Sequence, residues 1–356
     1  MPNNILSNKR VVVTGGTGSL GKVLVRRLLS GELGTPKSVT VFSRDEAKQH
    51  EMRLSYQSRK SATDEVIFQN FQQILQFKIG DVRDYHSVSG VLRNADVVFN
   101  AAALKQVPTC EYFPFEAVQT NICGPENIIR VIRENHLSVE TVIGVSTDKA
   151  CKPVNVMGMT KAIQERVFIA ANLDCPDTRL ICVRYGNVLA SRGSVVPLFH
   201  EQIRNGGPVT ITTADMTRFL LSLDQAVDTI FAALREAKRG EMYIPRVPSA
   251  RVVDLAEAII GSRPIKTTII GIRPGEKVHE VLVSEEEGYR TVRRGDYYAI
   301  LPMLPELRSR GEVIEPLGRE YSSADNVLRK AKVATLLKRH KLMIRDRLVF
   351  EEDLLA

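Results

Sequence analysis

What the chain lacks narrows it first. No apolar run approaches the roughly 18 residues needed to cross a bilayer, and the opening MPNNILSNKR carries no signal-peptide core. Five cysteines (Cys110, Cys123, Cys151, Cys175 and Cys182) form no CxxC pair and no zinc spacing. They read as reduced thiols of a cytoplasmic protein without a structural metal. There is no internal repeat, and no basic stripe interleaved with aromatics to suggest nucleic acid. With 49 basic and 41 acidic side chains the net charge is +8, which suits an anionic small ligand such as a nucleotide. A length of 356 residues allows about two domains.

What is present alternates. RVVVT (10–14) is a β-branched strand, TGGTGSLG a turn, and KVLVRRLLSGEL an amphipathic helix. Further strands are expected at 38–44, 74–82, 95–103, 141–147 and 178–188, with helices at 126–135 and 161–172. Strands alternating with helices imply an α/β fold, a Rossmann-type doubly wound parallel sheet. After Val188 the pattern loosens, and a smaller C-terminal substrate-binding lobe is expected over 189–218 and 240–325. A helix at 221–237 returns to the first domain, residues 1–188. Residues 57–73 are polar and read as a surface insertion. The basic tail, 326–356, reads as a solvated helix at a subunit edge, with contact to a membrane surface the less favoured reading.

Gly15-x-x-Gly18-x-x-Gly21 lies between strand and helix, where backbone and helix terminus receive a dinucleotide pyrophosphate. An acidic residue at the end of the second strand would favour NAD. Here the strand ends Ser43-Arg44, followed by Asp45 and Lys48, and Arg44 can pair with a 2′-phosphate. That favours NADP over NAD, unless Arg44 is only a surface charge. Asp81 and Val82 are placed to reach the adenine, and Ala101, Ala102 and Ala103 leave room for the cofactor backbone. On a helix, Met157 and Lys161 share one face, a turn apart. Asn121, at the start of a helix over 121–135, reads as an N-cap. An Asp148-Lys149 pair is ordinarily a surface ion pair, but here it directly follows a buried strand.

These residues resemble the extended short-chain dehydrogenase/reductases, in which a strand-five Ser/Thr and Tyr-x-x-x-Lys complete the site; this chain has Met157 in the tyrosine's place. More narrowly, TGGTGSLG, FSRDE, GDVRD, AAALKQVP, STDKA, PVNVMG, RYGNV, SRGSVVP, MTRF and RPGEK resemble the inverting UDP-N-acetylglucosamine 4,6-dehydratases of capsule and O-antigen synthesis. The resemblance implies hydride removal from sugar C4, proton loss at C5, departure of the C6 hydroxyl as water, and hydride return to C6. A UDP-sugar 4-epimerase is the alternative. The resemblance makes Asp148 the acid at the C6 hydroxyl, its pKa raised, and Lys149 the base at C5, its pKa lowered. Thr147 is assigned to the sugar O4, relaying its proton to solvent or Lys161, which also bridges the nicotinamide ribose; Asn121, whether or not it also caps its helix, would help position that lysine. Thr17, Ser19, Leu20 and Tyr185 join the cofactor set. Lys105, Asn187, Ser194, Val195 and Pro197 join the UDP-sugar set, with residues 191–197 as a loop around uracil and ribose. Arg218, Arg273 and Glu276 would hold pyrophosphate and ribose; otherwise Arg218 is an interface ion pair and 271–276 a simple turn. His279 reads as structural. The resemblance also implies a homo-oligomer, a dimer or a hexamer.

Overall fold

The computed structural model describes residues 4–58, 71–189, 194–308, 315–344 and 346. Most of the 57–73 insertion, residues 191–193 of the expected loop, and the end of the basic tail lie outside them.

Nine strands form the main sheet: β1 (Arg10–Thr14), β2 (Ser38–Ser43), β3 (Leu75–Ile79), β4 (Val97–Asn100), β5 (Thr141–Thr147), β6 (Arg179–Tyr185), β9 (Met242–Pro245), β13 (Thr291–Arg294) and β14 (Tyr297–Ile300). The small strands β7 (Val209–Ile211), β8 (Thr217–Phe219), β10 (Ser249–Arg251), β11 (Thr267–Ile269), β12 (Val281–Val283) and β15 (Tyr321–Ser322) pair among themselves. The main order is β13-β14-β9-β6-β5-β4-β1-β2-β3. Strands β1–β6 and β9 run parallel, and β14 and β13 close one edge antiparallel. β1 and β4 carry only buried residues after Arg10, and β5 is buried up to Thr147, as expected where helices cover both faces. Chain order reverses between β1 and β4, which opens a crevice at the carboxyl ends of the strands.

The region 240–325 does not belong wholly to the second lobe. β9, β13 and β14 complete the main sheet, because their apolar faces (Met242, Tyr243, Ile244, Ala299 and Ile300) join its core. A second core gathers Val196, Phe199, Ile211, Leu255 and Ile259. The tail is not merely a solvated edge: its helix Lys330–Arg339 buries Val333 and Leu337 in that core, while its cations stay outside. Helix Leu223–Glu236 starts with a Ser222/Gln225 capping box. It docks on helix Ser19–Leu29 through Arg27, which pairs with Asp228 and lies over the Phe231 ring.

Candidate active site

The crevice is a cleft of about 610 Å³, running from Arg44 and Lys48 past the glycine turn to Lys161, Asn187 and Ser194. Gly15 has φ of 66°, and a Cβ there would stand 2.7 Å from Ala102 N. Only glycine lets the β1 turn lie on the end of β4. No side chain caps helix Ser19–Leu29. Its first turn, Ser19 and Leu20, lines the cleft together with Thr17, Gly18 and Gly21, as suits a helix terminus receiving phosphate. Ser43, Val82, Ala101, Ala102, Ala103, Lys105 and Tyr185 also line it. The Asp81 carboxylate is occupied by Arg83 (2.8 Å) and lies 3.6 Å from Arg44. Burial raises its pKa, but these cations hold it below the usual range. Arg44 is half exposed at the rim, and Lys48 pairs with Asp45 at 3.0 Å. The uncapped helix, the close glycine turn and the unpaired Thr120 hydroxyl on the wall fit a nicotinamide dinucleotide.

At the inner end β5 stops at Thr147, and Asp148–Ala150 makes a single 3-10 turn. Asp148 is fully buried. Its Oδ1 accepts from the Thr147 hydroxyl at 2.9 Å and from Lys149 Nζ at 3.1 Å, while Oδ2 has no partner. The surface ion-pair reading therefore fails. The Thr147 hydroxyl, expected to relay toward solvent or Lys161, donates instead to Asp148. Lys149 departs from its expected lowered pKa: burial pulls the ammonium down, but Asp148, and Glu280 with Oε1 at 3.4 Å, outweigh it and raise it.

Lys161 behaves oppositely. Its Nζ is buried, donates to Val145 O at 2.6 Å and Gln164 Oε1 at 2.5 Å, and burial pulls it down to about 8. Helix Val156–Asp174 is capped by Asn155, whose Nδ2 also donates to Gly275 O at 2.9 Å, tying the helix to the Arg273–Glu276 turn. A Cβ on Gly158 would stand 2.2 Å from Lys149 O, so the glycine lets the Asp148–Ala150 turn rest on the helix. Met157 packs with Cys110 and Ala117 and reaches the cleft wall. Asn121 is not an N-cap. It lies inside a π-helical turn, Gln119–Cys123, and bonds Leu104 N and O and Thr160 Oγ1, bracing Lys161 through its neighbour.

A second cavity of about 200 Å³ joins the cleft at Asn187 and Ser194 and is lined by Val195, Arg218, Arg273 and Glu276. Asn187 Oδ1, Ser194 Oγ and Glu276 Oε2 have no partner. Pro197 lines neither cavity, because a helix, Val195–Arg204, replaces the end of the expected loop. Arg218 donates to the carbonyls of Thr217, Val278 and Lys277, and its Nε is 3.8 Å from Glu280. His279 bonds Thr217 at 2.8 Å. Glu280 was missed in the sequence; its one signal was a carboxylate inside the apolar stretch VHEVLV. Thr120 carried none.

A family model described as "Polysaccharide biosynthesis protein" matches residues 11–302. A UDP-glucose 4-epimerase of Rickettsia canadensis is 43% identical over 299 residues, 82% of this chain and 83% of that protein. An uncharacterized membrane protein of Methanocaldococcus jannaschii is 42% identical over 94% of this chain and 97% of its own length. No described helix here is long and apolar enough to cross a membrane. The structure of Pen from Bacillus thuringiensis superposes with a TM-score of 0.81 at 33% identity, covering 95% of this chain and 99% of that one. A dTDP-glucose 4,6-dehydratase of Streptomyces venezuelae shares the fold with a TM-score of 0.62 at 20% identity, over 76% of this chain and 86% of that one. By this extended match, the chain belongs to the polysaccharide biosynthesis protein family.

Proposed function

We propose that this protein is an NADP-dependent UDP-N-acetylglucosamine 4,6-dehydratase that inverts C5. The observation that carries the reading is the buried Asp148–Lys149 contact just past the carboxyl end of β5. A nicotinamide bound in the first cleft supplies the hydride acceptor and donor. The elimination itself needs a neutral amine at C5 and a neutral carboxyl at the C6 hydroxyl. The ion pair is one proton transfer from that state: Lys149 hands a proton to Asp148 across 3.1 Å, and the pair's net charge does not change. A sugar closing over the pair removes water and favours the neutral forms. The Thr147 hydroxyl, bonded to Asp148, offers the sugar O4 a proton path. Arg218, Arg273 and Asn187 take the nucleotide diphosphate in the second cavity, where an arginine fork suits phosphate oxygens.

Arg44 at the cleft rim supports NADP. Comparing the affinities of NADP and NAD tests the choice, and equal affinity would remove it. Exposed Tyr112, Phe113 and Phe115, at and between two short helices, and Ile163 on the Val156–Asp174 helix they pack against support a homo-oligomer, which light scattering would check.

The relatives named UDP-glucose 4-epimerase favour a second reading, a UDP-sugar 4-epimerase. An epimerase needs no base at C5. Incubation with UDP-N-acetylglucosamine in D₂O, followed by NMR, separates the two. The dehydratase gives a 4-keto-6-deoxy sugar with deuterium at C5; UDP-N-acetylgalactosamine without label at C5 refutes it.

A further inference from the structure

Behind the catalytic turn stands a residue outside every motif named above. Glu280 immediately precedes β12 and is 3% exposed. Its backbone is locked at a junction of three segments. Its N–H donates to Ser323 Oγ at 2.9 Å, and its carbonyl accepts from Ser323 N at 2.8 Å. Ser323 Oγ in turn bonds Thr217 Oγ1 at 2.7 Å and Thr217 O at 3.2 Å. This joint aims the carboxylate at two cations. Oε1 lies 3.4 Å from Lys149 Nζ and 3.8 Å from Arg218 Nε, and Oε2 has no hydrogen-bond partner. A buried, half-unpaired carboxylate is costly unless the charge beside it is needed.

We propose that Glu280 is a positioning residue for proton transfer at Lys149: it holds the ammonium beside Asp148 and sets the pH at which Lys149 releases its proton. The role rests on the reading of Lys149 as the base at C5. Four charged groups face Lys149. Asp148, on its own turn, and Glu280, before β12, keep the proton on. Arg218, on β8, and Lys277, whose Nζ is tied to Cys151 O, push it off. The Asp148–Lys149 pair works while it shares one proton; once that proton is lost to solvent Asp148 has none to give the C6 hydroxyl, so the rate falls with pH through the Lys149 titration. Removing the Glu280 charge favours the neutral amine and moves that limb to lower pH. An opposite charge this close and this buried shifts a titration by about one unit or more.

The test compares native enzyme with Glu280→Gln, which keeps shape and backbone bonds, and Glu280→Asp, which retracts the charge by one methylene. Two readouts are taken on the NADP-loaded protein: the pH profile of C5 deuterium uptake with UDP-N-acetylglucosamine, and titration of Lys149 Nζ by ¹⁵N NMR without sugar. We expect both to move down by about one unit in Glu280→Gln and part of the way in Glu280→Asp. A merely structural role would lower the rate and leave both midpoints in place, and midpoints coinciding with native in the two variants overturn the proposal. If native enzyme takes up no deuterium at C5, the dehydratase reading fails on its own, and the NMR titration alone decides whether Glu280 governs the Lys149 proton.

Discussion

Two buried charge clusters lie back to back at the ends of β5 and β6, and they are built to opposite purposes. Successive strand residues point to opposite faces. Ser146 donates to Glu165 at 2.5 Å on one side, and Thr147 donates to Asp148 at 2.9 Å on the other. On the Ser146 side Arg184, 1% exposed, spends all five donors: two on Glu165, two on Glu287 and one on the Leu282 carbonyl. Burial raises the Glu287 pKa, but Arg184 holds it down to about 2. On the Thr147 side Lys149 faces Asp148 and Glu280, and each carboxylate keeps one oxygen unpaired. The difference teaches how to read buried charge. A saturated cluster ties elements together, whereas a cluster with lone oxygens leaves acceptors open to a ligand or a proton.

The contrast can be broken from either side. Lys149→Ala should abolish turnover, a loss of about 10³-fold or more, while NADP and UDP bind nearly as before; calorimetry and steady-state assays check this, and full retained activity would refute the mechanism. Arg184→Leu should instead cost about 3–5 kcal/mol of stability, because Glu165 and Glu287 are left buried without their cation. Denaturant unfolding measures it, and a loss under about 1 kcal/mol would show that the closed cluster binds little together.

Lys161 lies between these extremes, a buried cation on neutral partners. Its folded pKa of about 8 lies below the unfolded value near 10.5. The unfolded chain therefore holds more protons between those values, and stability should rise with pH across that window, the cost being full below pH 8. Relative to Lys161→Met the native protein should gain a few kcal/mol over that span; parallel stability curves would contradict it. Thr147→Val should slow the oxidative half-reaction by about 10-fold, read in single-turnover absorbance, and an unchanged rate would remove Thr147 from the proton path. The smallest effect expected is from Met157→Tyr: no gain in turnover, since the side chain is packed against Cys110 and Ala117.

The parts of the site that sequence reading reached are those in which one short stretch does the work. Gly15 to Gly21 and Ser146 to Lys149 each sit where a strand ends, so spacing alone places them at the cleft. Asn121 was ambiguous because a π-helical turn looks like a helix start in sequence. The smaller lobe was misjudged where β13 and β14 cross back to the main sheet, since two four-residue strands carry too little periodicity to announce their partner. The rise in the Lys149 pKa, contrary to expectation, came from Asp148 and from Glu280, the second more than a hundred positions away along the chain.

By itself the sequence determined the parallel core, the glycine turn and the adjacency of Asp148 and Lys149, because strand pattern, turn geometry and neighbouring positions are local properties of a chain. Only the tertiary structure decided that Asp148 is buried with a free oxygen, that Arg184 is saturated while Lys149 is not, and that Glu280 and Arg218 meet at the Asp148–Ala150 turn. Burial and Coulomb interaction depend on distance in space, and the segments that meet here at β5, β8 and β12 are joined only by packing.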